Sequence, residues 1–168
     1  MNDFFSGVHL HLLVNHAPIL GAFFALVLLL VSLVAAPDVL RRTAFVVLVA
    51  TGIAAALANF SGEPAEEAVE GLPGVLESII HEHEELGEAS FIGAALLGVL
   101  ALGALLRWRR VPVPRNAALV LLLGSAVVSV LMAYTGLLGG RIRHTEVRPG
   151  ATPADARTVE PEEHEQGE

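Results

Sequence analysis

Seven histidines punctuate the chain: His9, His11, His16, His81, His83, His144 and His164. The last lies in a polar tail. The other six flank long apolar runs, and none is near the arginines at 41–42 or 107–115. Imidazole ligates haem iron and also suits iron, zinc and copper outside a macrocycle. The chain has no cysteine, which excludes disulfides, zinc–thiolate sites, iron–sulfur clusters and covalently attached c-type haem. Any metal must therefore be held by His, Glu or Asp, and any haem non-covalently.

Residues 61–88 read SGEPAEEAVEGLPGVLESIIHEHEELGE, with nine glutamates, two histidines and no basic residue. On a helix, Glu77, His81, Glu85 and Glu88 form one stripe, while His83 and Glu84 fall on other faces. His9 and His16 share a face if the first helix begins early. The stretch YTGLLGGRIRHTE, residues 134–146, ends on paired glycines and then places Arg141, Arg143 and His144 beyond them.

The expectation is that His81 or His83 meets His11 and His16, with His144 and Arg143 closing the fourth side. Some glutamates would orient the imidazoles as hydrogen-bond acceptors, and others would pair with Arg141 and Arg143. The leading reading is a haem b site and electron transfer, with His11, His16, His81, His83 and His144 as candidate ligands and Arg141 and Arg143 as propionate partners. The alternative is non-haem iron, zinc or copper held by His9, His11, His16, His81, His83, His144, Glu77 and Glu85. A third reading is a structural membrane subunit whose acidic loop docks a periplasmic partner. No Ser/His/Asp arrangement or phosphate loop is visible, so no catalytic residue is assigned. The acidic exterior argues against nucleic acid.

These residues are spaced by apolar runs. The chain is 54% hydrophobic with mean hydropathy +0.63. Residues 17–36, 43–60, 89–106 and 116–140 are free of charge. About 20 apolar residues cross a ~30 Å hydrocarbon core as a helix, and none of the runs alternates as a barrel strand does. The expected fold is all-α: an up-down-up-down bundle of four membrane helices over residues 1–146, followed by a disordered acidic tail at 147–168. An extra outer helix is expected before the third long helix, over residues 65–70, and residues 75–87 should run straight into that third helix. Asn15 and Pro18 read as a helix start, leaving residues 5–14, with Phe4 just before them, as an amphipathic interfacial piece. Small residues recur on every membrane helix and let backbones approach closely.

All ten basic residues are arginine. Arg41, Arg42, Arg107, Arg109, Arg110 and Arg115 lie in the connections after the first and third long helices. The positive-inside rule puts those connections in the cytoplasm. Both termini and residues 61–88 then face the periplasm or exterior of a bacterium, and the first apolar run reads as an uncleaved helix, because no basic residue precedes it. Trp108 suits an interfacial anchor.

The H-x4-H-x-P spacing of His11, His16 and Pro18 resembles the HPxxVHFP opening of a family of small bacterial four-helix membrane proteins catalogued as a domain of unknown function. Leu12 and Ala17 stand where that family has its first proline and its aromatic. The family's T-G-x-x-G-G motif on the fourth helix is matched by Thr135, Gly136, Gly139 and Gly140, and its further histidine near the third helix by His81 or His83. The resemblance spans roughly residues 9–145. Some members are joined to Rieske-type iron–sulfur domains, which implies redox work at a membrane.

The topology is testable by labelling. A cysteine at Gly62 is expected to react with an impermeant thiol reagent in intact cells, and one at Pro112 is not; the reverse pattern overturns the assignment.

Overall fold

The computed structural model describes residues 7–35 and 38–152; Phe4, Phe5, Pro37, His164 and the rest of the tail lie outside them. Six α-helices follow in order: α1 Gly7–Val14, α2 His16–Ala35, α3 Asp38–Phe60, α4 Gly62–Glu67, α5 Glu77–Arg107 and α6 Arg115–Arg143. A short 3-10 turn at Thr145–Val147 closes them. The expected all-α bundle is present. Helices α2, α3, α5 and α6 pack in a closed ring, each against its neighbours in sequence, with α6 returning to α2.

Why these segments associate is visible in their spacing. Buried positions on α2 are Pro18, Ala22, Ala25, Leu29 and Ser32. On α6 they include Ala118, Leu122, Ser125, Ser129 and Met132. Both alternate steps of four and three, the pattern of a bundle seam. The partners on α3 are Ala44, Leu48, Thr51 and Ala55, and those on α5 are Ser90, Ala94, Leu97 and Ala101. A Cβ on Gly52 would stand 3.0 Å from the Ala94 carbonyl oxygen, and one on Gly98 would stand 3.3 Å from that of Leu48. Glycine thus lets α3 and α5 touch backbone to backbone. Outside the seam the helices present Leu20, Phe24, Val34, Ile53, Leu96, Val120 and Val130, all exposed. Four segments are long and apolar enough to cross a membrane: Gly7–Ala35, Asp38–Glu67, Glu77–Arg107 and Arg115–Arg143. The chain is a multi-pass membrane protein whose outward surface suits lipid.

The extra helix starts earlier than expected, at Gly62, and ends at Glu67. Residues 71 and 74 are glycines with φ of 74° and 78°, a conformation costly for other residues. They turn the chain into α5, which runs unbroken from Glu77 to Arg107 and so carries the acidic segment upward as a continuation of the third long helix. Helix α1 is nearly continuous with α2: only Asn15 separates them, and its N–H still reaches the His11 carbonyl at 2.9 Å. It packs against α4 rather than lying apart as an interfacial piece.

At the arginine-rich end Arg41 and Arg42 join two segments of the chain. Asp38 Oδ2 accepts from Arg42 Nε at 2.6 Å, and Asp38 Oδ1 accepts from the Val113 N–H at 2.6 Å. The Arg42 guanidinium donates to the carbonyls of Trp108 (2.8 Å) and Val111 (2.7 Å), and Arg41 donates to that of Val113 (2.8 Å). Val113 itself is buried. This clamp joins the start of α3 to the α5–α6 connection and satisfies carbonyls that the end of α5 leaves open.

Charged hydrogen bonds of this kind are each worth about 1.5–3 kcal/mol, reduced here by partial exposure. Asp38→Ala should lower unfolding stability in detergent by about 1–2 kcal/mol, and Asp38→Asn, which keeps an acceptor for Val113, by less. Equal stabilities for all three proteins would show that the clamp is dispensable.

Candidate functional site

At the opposite end the seams of two helices continue upward. Counting back along α2 by alternating threes and fours, Pro18 leads to Asn15 and then His11. Counting back along α5, Ser90 leads to Gly87 and then His83. The structure brings these two histidines together from diagonally opposed corners of the bundle. Their ring centres are 6.4 Å apart and their planes stand at 85°. Both are half-buried.

Each ring is anchored through Nδ1. His83 Nδ1 lies 2.9 Å from the Thr135 carbonyl oxygen on α6. His11 Nδ1 lies 3.1 Å from the Ala58 carbonyl oxygen on α3 and 3.2 Å from the Ser61 hydroxyl. The same Ala58 oxygen also accepts from the Ser61 hydroxyl at 3.0 Å. A carbonyl can only accept, so both Nδ1 atoms carry hydrogen. Nε2 is then the nitrogen that holds the lone pair in each neutral ring, and neither Nε2 makes a hydrogen bond among the described residues. Fixing Nδ1–H on a carbonyl is the usual way a protein orients a histidine ligand and sets its tautomer.

The other two corners of this layer are small. A Cβ on Gly139 of α6 would meet His83 Cε1 at 3.0 Å, and one on Gly62 would meet His11 Cε1 at 3.8 Å. Thr135 is further tied by its hydroxyl to Ser90 (3.0 Å) and to the Leu131 carbonyl (3.0 Å). Thr135 and Gly139 of the T-G-x-x-G-G stretch thus have physical roles here: one supplies the acceptor for His83, the other its clearance.

The remaining candidates fall elsewhere. His81 is turned outward on α5, 3.3 Å from Glu85 and 3.9 Å from Glu84, with all three side chains largely exposed. The Glu77/His81/Glu85 stripe is therefore a solvent-facing one, and it is His83 that faces the bundle. His9 and His16 are exposed, as is Glu77. His144 lies 2.9 Å from Glu146, whose carboxyl sits below the usual glutamate range, first through its own backbone N–H and then through His144. His144 and Arg143 do not close a fourth side.

No glutamate of residues 61–88 forms an ion pair with Arg141 or Arg143 among the described residues; Glu84 and Glu85 instead flank His81. Arg143 is exposed, and the Nε of Arg141 is buried without a hydrogen-bond partner. The arginine that binds this end together is Arg148, which sequence reasoning had placed in the tail. Its guanidinium donates to the carbonyls of Arg141 (2.9 Å), Ile142 (2.9 Å) and Gly74 (2.7 Å), capping α6 and tying it to the loop between α4 and α5.

Chemically, the layer offers two imidazoles and nothing more. No group of three or more His, Asp or Glu side chains suited to a metal ion occurs among the described residues.

Gly139→Ala should push His83 off the Thr135 carbonyl and lower stability by about 1–2 kcal/mol. Gly140→Ala, with no atom within 4 Å of the added Cβ, should be neutral or slightly stabilising. Unfolding midpoints and the ¹⁵N signal of the His83 Nδ1–H read both; equal behaviour of the two variants would show that the clearance is not needed.

Compared with family models, with curated proteins and with solved structures, the chain matches none.

Proposed function

We propose that the chain is a plasma-membrane protein of a bacterium that holds haem b iron between His11 and His83 near its outer face and passes electrons to a membrane or periplasmic redox partner. The observation that carries this reading is the pair of imidazoles, each anchored through Nδ1, with ring centres 6.4 Å apart. The donor set fits haem, whose iron would take two imidazoles from the chain and would supply one-electron chemistry when bound. A non-haem centre needs three or four donors, so iron, zinc or copper held by His and Glu is the less favoured alternative. His11 and His83 would hold the iron, Ala58 and Thr135 would fix the imidazole tautomers, and Arg141, with its buried unpartnered Nε, favours an anionic group such as a propionate nearby. The middle of the bundle does not suit the macrocycle, because Gly52 and Gly98 bring α3 and α5 into backbone contact. The arginine asymmetry supports both termini outside, and the resemblance to the four-helix family of unknown function, with its Rieske-linked members, agrees with redox work.

The test is the colour of protein purified from cells supplied with haem precursor. A Soret band with α and β bands on dithionite is expected, lost in His11→Ala and in His83→Ala and kept in His16→Ala and His81→Ala. A colourless protein with stoichiometric iron, zinc or copper selects the non-haem alternative. A colourless and metal-free one leaves the pair as a polar clasp in a subunit that docks a periplasmic partner.

A further inference from the structure

The arginine-rich end carries more positive charge than its own structure uses. Six arginines cluster there, at 41, 42, 107, 109, 110 and 115, against one carboxylate, Asp38. Asp38 is occupied by Arg42 and by the Val113 N–H, and Arg41 by the Val113 carbonyl. Arg107, Arg109, Arg110 and Arg115 make no hydrogen bond or ion pair among the described residues. Directly beside them the surface between α5 and α6 is grooved. The groove is lined by Val99, Leu100, Gly103, Ala104, Val120 and Leu121, and it ends at Arg107 and Trp108.

Three features of the groove point to one occupant. Its wall is almost wholly apolar, as an acyl chain requires. From Val99 to Arg107 it rises roughly 12 Å at 1.5 Å per residue, close to the ~15 Å of one leaflet of hydrocarbon. Its floor is notched at Gly103, where an added Cβ would meet no atom within 4 Å, so the chain leaves the space open rather than filling it from within. The charged end and the apolar end thus match the two parts of an anionic phospholipid. Trp108 follows Arg107 at the end of α5, and indoles favour the level where headgroup meets hydrocarbon, while basic residues beside a membrane helix attract anionic lipid.

We propose that this groove seats one acyl chain of an anionic phospholipid whose phosphate is held by Arg107. A second copy of the chain is the competing occupant, since small residues such as Gly103 and Ala104 also suit helix contact.

The full-length protein, purified in mild detergent, is incubated with phosphatidylglycerol or phosphatidylcholine of matched acyl chains and examined by native mass spectrometry. Wild type is expected to retain one phosphatidylglycerol several-fold more than phosphatidylcholine. Arg107→Gln should erase that preference, lowering phosphatidylglycerol retention several-fold and phosphatidylcholine retention less. Gly103→Leu should lower phosphatidylglycerol retention several-fold without loss of helical content, because the added side chain extends into open space. Equal retention of the two lipids by wild type, or full retention by both variants, overturns the proposal. A wild-type dimer that Gly103→Leu dissociates, with no lipid preference, assigns the groove to a second copy and overturns it equally.

Discussion

Close approach of helix backbones is the constraint on which the structure rests. In hydrocarbon no water rewards apolar contact between helices, so association depends on packing and on polar groups that find partners inside the protein. Gly52 against the Ala94 backbone and Gly98 against the Leu48 backbone bring α3 and α5 together, while Ala22, Ala25 and Ser32 on α2 and Ala118, Ser125 and Ser129 on α6 are the small buried residues of the other two helices. With α3 and α5 in backbone contact and Phe45, Leu29 and Leu48 buried beside them, the four helices are held in one register. That register decides which residues meet at each end, and so it sets the geometry of both the clamp and the histidine layer.

The two ends solve the same problem with opposite chemistry. Each must satisfy carbonyls that a helix terminus leaves open. At one end a single carboxylate and two arginines do so as a compact charged network around Val113. At the other, Arg148 caps α6 and reaches across to Gly74, while two neutral donors, His11 and His83, take carbonyls from within the layer below. Thr135 lies inside α6, so its oxygen accepts from an imidazole in addition to the helical bond, whereas the Ala58 oxygen, in the last turn of α3, accepts from His11 and from the Ser61 hydroxyl. A carbonyl has two lone pairs, and this second bond orients a side chain without breaking the helix.

Much of the fold was legible because it follows from length and period. Four uncharged runs, two arginine-rich connections and the uninterrupted pattern from residue 75 onward gave the long helices, their order and the upward extension of α5. The site was legible only in part. The one-sided placement of six histidines is consistent with the end at which His11 and His83 meet, but the stripe Glu77–His81–Glu85 faces solvent. The signal that discriminates His83 from His81 was present: stepping back from Ser90 by three and then four residues lands on His83. What no side-chain pattern reveals is the set of backbone acceptors, Ala58 and Thr135, since a carbonyl is common to every residue. Arg148 was hidden for another reason. It is followed by Pro149 and Gly150 and reads as the first residue of a polar tail, although its guanidinium is spent on the end of α6.

A polar clasp and a ligand pair begin from the same bonds, so the Nδ1 contacts alone do not separate them. Each is worth about 1 kcal/mol net, offset by the rotamer freedom the ring loses. A clasp would gain by using Nε2 as well, and a Ser, Thr or Asn at either small corner of the layer would supply the partner. The chain instead places Gly139 and Gly62 there, with no side-chain group to meet the second nitrogen. It also keeps both rings on the tautomer that leaves Nε2 its lone pair. Two such rings 6.4 Å apart hold a span set by four separate helices rather than by one flexible loop. Changing that span requires moving α1 against α5, which the glycine contacts between α3 and α5 resist. A pair built only to fill space has no need of a fixed separation, whereas a pair that shares an ion does, since metal–nitrogen bonds tolerate only about 0.2 Å of error. The rigidity of the seam below is thus what makes the ligand reading physically coherent.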